Sequence, residues 1–301
     1  MHRILNILIV FCLVGTAQAT ENIRKIGTWN MKWLGVTSGN QLGPIENVPE
    51  YAKYILKTGA TLFALQEIGA THSVGGQPRC AYLDLIVQEL NHDIFVGAEQ
   101  WVYTLDDMNG DQRLAFLYKQ DMWSVSDVHT VWPGSSYQST RRPLVATVLA
   151  QGDNAVLQFT YMSVHFKAFP DTESHDKRVA NIKELAAWLQ TNAGSLDADV
   201  LIAGDTNIYA SDGDIDKPLE DIGYAAFDDA ENTAIHDGTV GERFDRFFCS
   251  PDLVKEVDAA KAVVGSADYI DAIDNGNIQW FDETLSNHFP VVLCVDVSEE
   301  R

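Results

Sequence analysis

The polar residues able to do chemistry in this chain sit at the ends of apolar runs. Asn30 follows Ile26-Gly27-Thr28-Trp29, Gln66 and Glu67 follow Leu62-Phe63-Ala64-Leu65, and His165 follows Tyr161-Met162-Ser163-Val164. Asp205 and Asn207 follow Val200-Leu201-Ile202-Ala203-Gly204 in the same way. Each alone is a common turn former or helix cap. Together they are carboxylates, amides and an imidazole placed where strands run into loops, the rigid ends on which α/β enzymes mount reactive groups. Asp245, in Arg243-Phe244-Asp245-Arg246-Phe247, is a charge between aromatic neighbours, and a buried carboxylate is costly without a partner. His288, in Ser286-Asn287-His288-Phe289-Pro290, has the matching chemistry. Groups of these kinds hold hard cations and move protons.

The elements that must position them follow from periodicity. Strands are predicted over Ile23 to Trp29, Thr61 to Gln66, Arg113 to Tyr118, Leu144 to Ala150, Val156 to Val164, Asp199 to Ala203, Phe244 to Phe248 and Pro290 to Val297. A helix is predicted over Ser174 to Gln190, where Val179, Ile182, Leu185, Ala186 and Leu189 recur at three- and four-residue steps. Shorter helices are expected over Val48 to Leu56 and Ala81 to Leu90, and a hairpin turn at Asn109-Gly110. No repeat, low-complexity linker or charge block divides the chain, so residues 20–301 read as one mixed α/β domain.

Composition narrows the class. With 301 residues and 46% apolar content the chain can bury a large core, which excludes a disordered protein. A net charge of −22 argues against a protein that wraps nucleic acid or membranes through overall basicity, while leaving room for a locally basic cleft. Residues 1–19 have a cationic start, an apolar stretch too short to span a bilayer, and Ala17-Gln18-Ala19, the features of a cleavable signal peptide. The expected protein is therefore secreted or periplasmic, begins near Thr20, and has no stable membrane association. Cys80, Cys249 and Cys294 remain after cleavage, too few for a disulfide scaffold. Export permits Cys249 and Cys294 to pair; otherwise all three are small buried hydrophobes.

The ordered set of Thr28-Trp29-Asn30, Leu65-Gln66-Glu67, the strand-end His165, Gly204-Asp205-Thr206-Asn207, Asp245-Arg246 and Ser286-Asn287-His288-Phe289-Pro290 resembles the endonuclease/exonuclease/phosphatase superfamily with the DNase I-like fold. The resemblance covers nearly the whole mature chain. It implies a four-layer α/β sandwich, two packed mixed β-sheets flanked by helices, with the site at one end. It also implies residue roles. Glu67 is the principal metal carboxylate, with Asn30 beside it on the metal shell and phosphate. Asp205 orients or deprotonates the attacking water, and Asn207 contacts phosphate. His288 faces the scissile phosphate and is oriented by Asp245, His165 is a second phosphate-facing imidazole, and Glu99 orients His165. Arg113 and Arg142 resemble basic residues that line the substrate groove.

These roles suit phosphodiester hydrolysis, which needs a cation to neutralise charge, a positioned water and an acid for the leaving oxygen. Oxygen donors such as Glu67 favour Mg²⁺, with Mn²⁺ or Ca²⁺ as alternatives, over zinc. One departure stands out, because Asn287 replaces the carboxylate of the usual Ser-Asp-His. Asn287 keeps an oxygen ligand and loses a charge. It is read as a tolerated variant, an inactivating change or the mark of a protein that binds without cutting. His165-Phe166-Lys167 is similar to the His-x-Lys of secreted bacterial nucleases and unlike the His-x-Gln of bacterial sphingomyelinases. Lys167 joins the candidate phosphate contacts, and the expected protein is a monomeric endonuclease acting on DNA. The alternatives are a lipid or sugar-phosphate phosphodiesterase and a silent binding variant. Asp212-Gly213-Asp214-Ile215-Asp216 lacks the glycine and glutamate of an EF-hand and is read as a solvated loop.

Overall fold

A computed structural model of the chain describes residues 22–36, 47–69, 71–92, 100–107, 112–137, 141–227, 232–236, 238–257, 263–264 and 277–298. The signal-peptide segment, Glu99 and the Asn109-Gly110 turn lie outside them. The main strands are β1 (Ile23–Leu34), β2 (Leu62–Ile68), β3 (Trp101–Leu105), β4 (Arg113–Lys119), β5 (Trp123–Thr130), β6 (Leu144–Ala150), β7 (Gln158–His165), β8 (Val200–Asp205), β9 (Ala225–Phe227), β10 (Asp245–Cys249), β11 (Val263–Val264) and β12 (Val291–Asp296). Among the described residues they form two six-stranded sheets, ordered β11-β12-β1-β2-β4-β3 and β9-β10-β8-β7-β6-β5. Both are mixed: β1 runs parallel to β2 and antiparallel to β12, and β8 runs parallel to β7 and antiparallel to β10.

Alternation along the strands builds the layers. Ile26, Leu62, Ala64 and Phe116 of the first sheet meet Phe159, Tyr161, Leu201 and Phe247 of the second in one inner core. On the first sheet's outer face, Trp29 and Phe63 pack with Tyr51 and Tyr54 of α1 (Val48–Thr58), Leu83 and Ile86 of α2 (Ala81–Leu90), and a phenylalanine of the later helix Ile278–Thr284. On the second, Met162, Val164, Ile202 and Phe248 are covered by Ile182, Leu185 and Leu189 of α3 (Thr172–Asn192). Each large apolar side chain buried in this way contributes about 1.5–3 kcal/mol. The result is the expected helix, sheet, sheet, helix sandwich.

Local signals explain the element ends. Pro49 occupies the first turn of α1 and Gly59 closes it with φ 69°, a left-handed conformation that glycine adopts without steric cost. Asp171 caps α3 by accepting from the Ser174 amide at 3.0 Å. Strands β3 and β4 pair antiparallel, Leu105 opposite Ala115. Strand β5 was not legible, because Asp127, at φ 51° in a register shift between Ser126 and His129, breaks its alternation. Cys249 is a free thiol in the second sheet, whereas Cys294 is in the first, so the bridge that export would permit does not form.

Candidate active site

The alternation that fills the inner core also aims the polar residues. Asn30 shares the face of Ile26 on β1, His165 that of Phe159 and Tyr161 on β7, Asp205 that of Leu201 on β8, and Asp245 that of Phe247 on β10. All four therefore point between the sheets at one end of the sandwich. Glu67 obeys a different rule. Strict alternation would send it to the helix-covered face with Phe63 and Leu65. A bulge between Leu65 and Ile68, with Glu67 itself at φ 60°, turns it inward instead. Its Oε1 lies 3.6 Å from His165 Nε2.

Gly204 sets the approach of β7 and β8. A Cβ there would stand 1.9 Å from the Val164 carbonyl oxygen, and φ is 151°, so any side chain would push the strands apart. The close packing aligns Asp205 with His165 in register. Asp205 Oδ2 accepts from Asn30 Nδ2 at 2.9 Å and lies 3.6 Å from His165 Nε2 and 3.8 Å from His288 Nε2. Its Oδ1 accepts from the Asn207 amide at 2.9 Å. Asn207, at φ 49°, donates its side-chain Nδ2 to the Phe166 carbonyl at 3.2 Å.

The pairing expected of Asp245 and His288 is present. His288 Nδ1 donates to Asp245 Oδ2 at 2.8 Å, and Thr233 Oγ1 donates to the same oxygen at 2.7 Å. Trp29 Nε1 and Ser286 Oγ fix the backbone on either side, the first donating to the His288 carbonyl and the second accepting from the His288 amide.

Burial and charge split the titrations. Burial works against charging His288, but Asp245, Asp205 and Glu67 outweigh it and raise its pKa to about 9. His165 is driven well below the ordinary imidazole value by burial, reinforced by Arg141, His288 and Lys167. Burial also raises Glu67 and Asp205, with His288 opposing the rise in both. One imidazole is thus held charged and the other neutral.

Ligand atoms of Glu67, His165 and Asp205 all lie within 4.8 Å of one another. Both ring nitrogens of His165 are buried without a hydrogen-bond partner. Two crowded carboxylates and an unsatisfied imidazole fit a divalent cation, which would offset the burial of negative charge. Asn30 joins this group through Asp205. Asn287 is not brought into this group: its main-chain carbonyl accepts from the Ile235 amide at 2.7 Å, and among the described residues its side chain makes no hydrogen bond to the carboxylates.

The basic candidates separate. Arg113 turns to Asp106, its Nη1 3.3 Å from Oδ1, and Arg142 stacks 3.7 Å over the Trp132 ring. The arginine set against Glu67 and Asp205 is Arg141, the neighbour of Arg142. Burial lowers its pKa, those two carboxylates raise it, and it donates to Gln112 Oε1 and the Phe166 carbonyl. By sequence Arg141 is one of several basic residues near motif ends that could form a phosphate track, and residues 141–143 lie outside a strand, so no alternation singles it out. Lys167 follows His165, its pKa lowered by burial and then by Arg141 and Lys177. Gly213 and Asp214 are exposed, as expected of a solvated loop, but the Asp212 side chain turns inward and pairs with buried Arg178 at 2.9 Å and with His175 at 2.8 Å.

The chain has the DNase I-like fold of the endonuclease/exonuclease/phosphatase superfamily. Among solved structures it is similar to a family protein from Bacteroides thetaiotaomicron at 14% identity and TM-score 0.58, over 91% of this chain and 97% of that one. It is also similar to D. rerio TDP2 complexed with single strand DNA product, at 14% identity and TM-score 0.57 over 91% and 99%. A mannosyl-6-phosphatase from Bacteroides thetaiotaomicron matches at 13% identity and TM-score 0.55 over 90% and 98%. No family model and no curated protein matches the sequence.

Proposed function

We propose that the chain is a secreted, metal-dependent phosphodiesterase that cuts DNA endonucleolytically. The observation that carries this reading is geometric: Glu67 and His165 gather at Asp205, with His288, bonded to Asp245, on its other side. Environments that push titratable groups apart divide acid from base. Asp205 accepts the proton of the attacking water, and Asn30 and Asn207 hold that carboxylate in place. His288, kept protonated by Asp245, offers its Nε2 proton to the phosphate or to the departing oxygen. Neutral His165 and the Arg141 guanidinium face the phosphate. A divalent cation held by Glu67 with Asp205 and His165 would neutralise phosphate charge and polarise the reacting bond. Mg²⁺ is favoured by the oxygen donors. Export rests on residues 1–19, and no helix among the described residues is long and apolar enough to cross a membrane.

The DNA reading draws on His165-Phe166-Lys167 and on the likeness to a structure holding single strand DNA product. Likeness to a mannosyl-6-phosphatase keeps a sugar-phosphate substrate as the second reading. Plasmid DNA, sphingomyelin and mannose 6-phosphate, each incubated with the purified chain and Mg²⁺ or Mn²⁺, separate the readings. Cleavage of plasmid alone, abolished by EDTA and by Asp205→Ala, is expected. Turnover of the sugar phosphate with no plasmid cleavage would transfer the assignment, and plasmid cleavage that survives EDTA would overturn the metal dependence.

A further inference from the structure

Among the described residues, Phe169 and Trp132 are the large apolar rings left exposed, 57% and 51% accessible. Trp132 is tied into its own loop, its indole N–H donating to the Gly134 carbonyl and its ring covered by Arg142. Phe169 is held by its main chain instead. Buried Arg178 donates through Nη1 to the Phe169 carbonyl at 2.8 Å and to the Lys167 carbonyl at 2.9 Å, while Asp212 accepts from the same guanidinium. The Phe169 φ is 85°, a left-handed conformation that a bulky side chain seldom adopts. A strained backbone, clamped by a buried ion pair, thus carries an apolar ring into solvent and adds little to the core. Its position gives the arrangement a use. Phe169 lies four residues beyond His165, in the loop from β7 to α3. The Tyr209 side chain meets the Phe169 backbone, the Tyr209 ring packs on Phe244 with centroids 4.8 Å apart, and Phe244 packs on His288 at 6.1 Å. An aromatic row therefore runs from His288 to the foot of the exposed ring, which stands at the edge of the candidate active site.

We infer that Phe169 is a stacking platform for an unpaired nucleobase of the substrate. The inference rests on the nuclease reading above and narrows it to a strand whose bases are accessible beside the cut. A base inside a duplex has both faces covered by its neighbours, whereas an unpaired base offers a π-face that an exposed aromatic ring can take up whatever the sequence. A sugar phosphate has no such face and would leave the ring unused.

The test measures the affinity for a labelled single-stranded oligothymidylate by anisotropy in EDTA, which withholds the cation. Phe169→Gly should weaken binding by about fivefold to a hundredfold, Phe169→Leu should do the same although it keeps apolar bulk, and Phe169→Trp should retain the parent's affinity. A structural role would move stability instead. Phe169→Gly relieves the left-handed strain, so its urea midpoint should equal or exceed the parent's. A single abasic nucleotide walked along the oligonucleotide identifies the base: one position should weaken the parent by a like factor and cost Phe169→Gly nothing further. Equal affinity in the parent and Phe169→Gly, a fall in midpoint with affinity unchanged, or an abasic loss of the same size in both proteins at every position would overturn the inference. A parent that binds no oligothymidylate would overturn it together with the nuclease reading. Base-dependent binding lost in Phe169→Gly, in a chain that cuts no DNA, would keep the stacking contact and refute the nuclease; plasmid cleavage by a chain whose affinity is untouched in Phe169→Gly would refute the contact alone.

Discussion

Asp245→Asn removes one charge and almost no volume from the centre of the site. Asp245 is fully buried, and its Oδ2 accepts from His288 at 2.8 Å. The rise of His288 from 6.5 to about 9 corresponds to about 3 kcal/mol of preference for the charged ring. Burial alone would push the ring the other way, and Asp245 is the largest charge opposing it. In the variant the ring should therefore titrate at or below its ordinary value. At pH 8 a ring titrating at about 9 is roughly nine-tenths protonated and one titrating at 6.5 about 3%, a loss of about thirtyfold in the charged form. The alkaline limb of kcat should move acidward by about two and a half pH units or more. The same group sets a stability window. Its folded pKa is raised, so its contribution is complete below 6.5 and is lost as pH rises through about 9. The metal-free parent should lose about 3 kcal/mol across that interval and the variant far less. Imidazole proton NMR follows the ring directly. A His288 resonance titrating at the same pH in both proteins would refute the reasoning, whatever happens to the rate.

Mn²⁺ at a hundredfold excess over its dissociation constant should stabilise the parent by about 2.7 kcal/mol in thermal unfolding, and Glu67→Gln should remove most of that gain; an equal gain in both would place the cation elsewhere. Arg178→Met leaves Asp212 buried without its bidentate partner and should cost about 3–5 kcal/mol, read by urea unfolding, where a loss under about 1 kcal/mol would contradict the role assigned to the pair. Asn287→Asp adds a carboxylate beside His288 and should lower the Mg²⁺ needed for half-maximal cleavage by about tenfold, a difference near 1.4 kcal/mol. Identical metal dependence in parent and variant would put Asn287 outside the cation's reach.

Much of this site was legible because four of its residues continue the two-residue period of their strands. Asn30, His165, Asp205 and Asp245 lie on the same faces as the apolar residues that pack between the sheets, so the pattern that places the core also places them. Where the period breaks, reading by pattern fails. Glu67 reaches the site through a bulge and a left-handed backbone, which alternation alone would have reversed. Arg141 and Arg142 share a charge and a neighbourhood, and a segment without period leaves nothing in the sequence to say which faces the carboxylates. Strand β5 went unread for the reason that Glu67 reaches the site, a bulge that shifts the alternation.

The division between the two imidazoles shows what the topology contributes beyond residue type. His165 and His288 are both buried, and burial alone would leave both neutral. Strand β10 runs antiparallel beside β8 and sets Asp245 opposite Asp205. From there Asp245 reaches His288, while Thr233 donates to the same oxygen and fixes the carboxylate's position. His165 has no hydrogen-bond partner; its Nε2 lies 3.6 Å from both Glu67 and Asp205, and burial, reinforced by Arg141, His288 and Lys167, lowers its pKa. One site thus holds a charged imidazole bonded to a carboxylate and a neutral one without a hydrogen-bond partner. Asp205 Oδ2 lies between the two rings, 3.6 Å from His165 Nε2 and 3.8 Å from His288 Nε2, so one carboxylate meets an imidazole of each charge state.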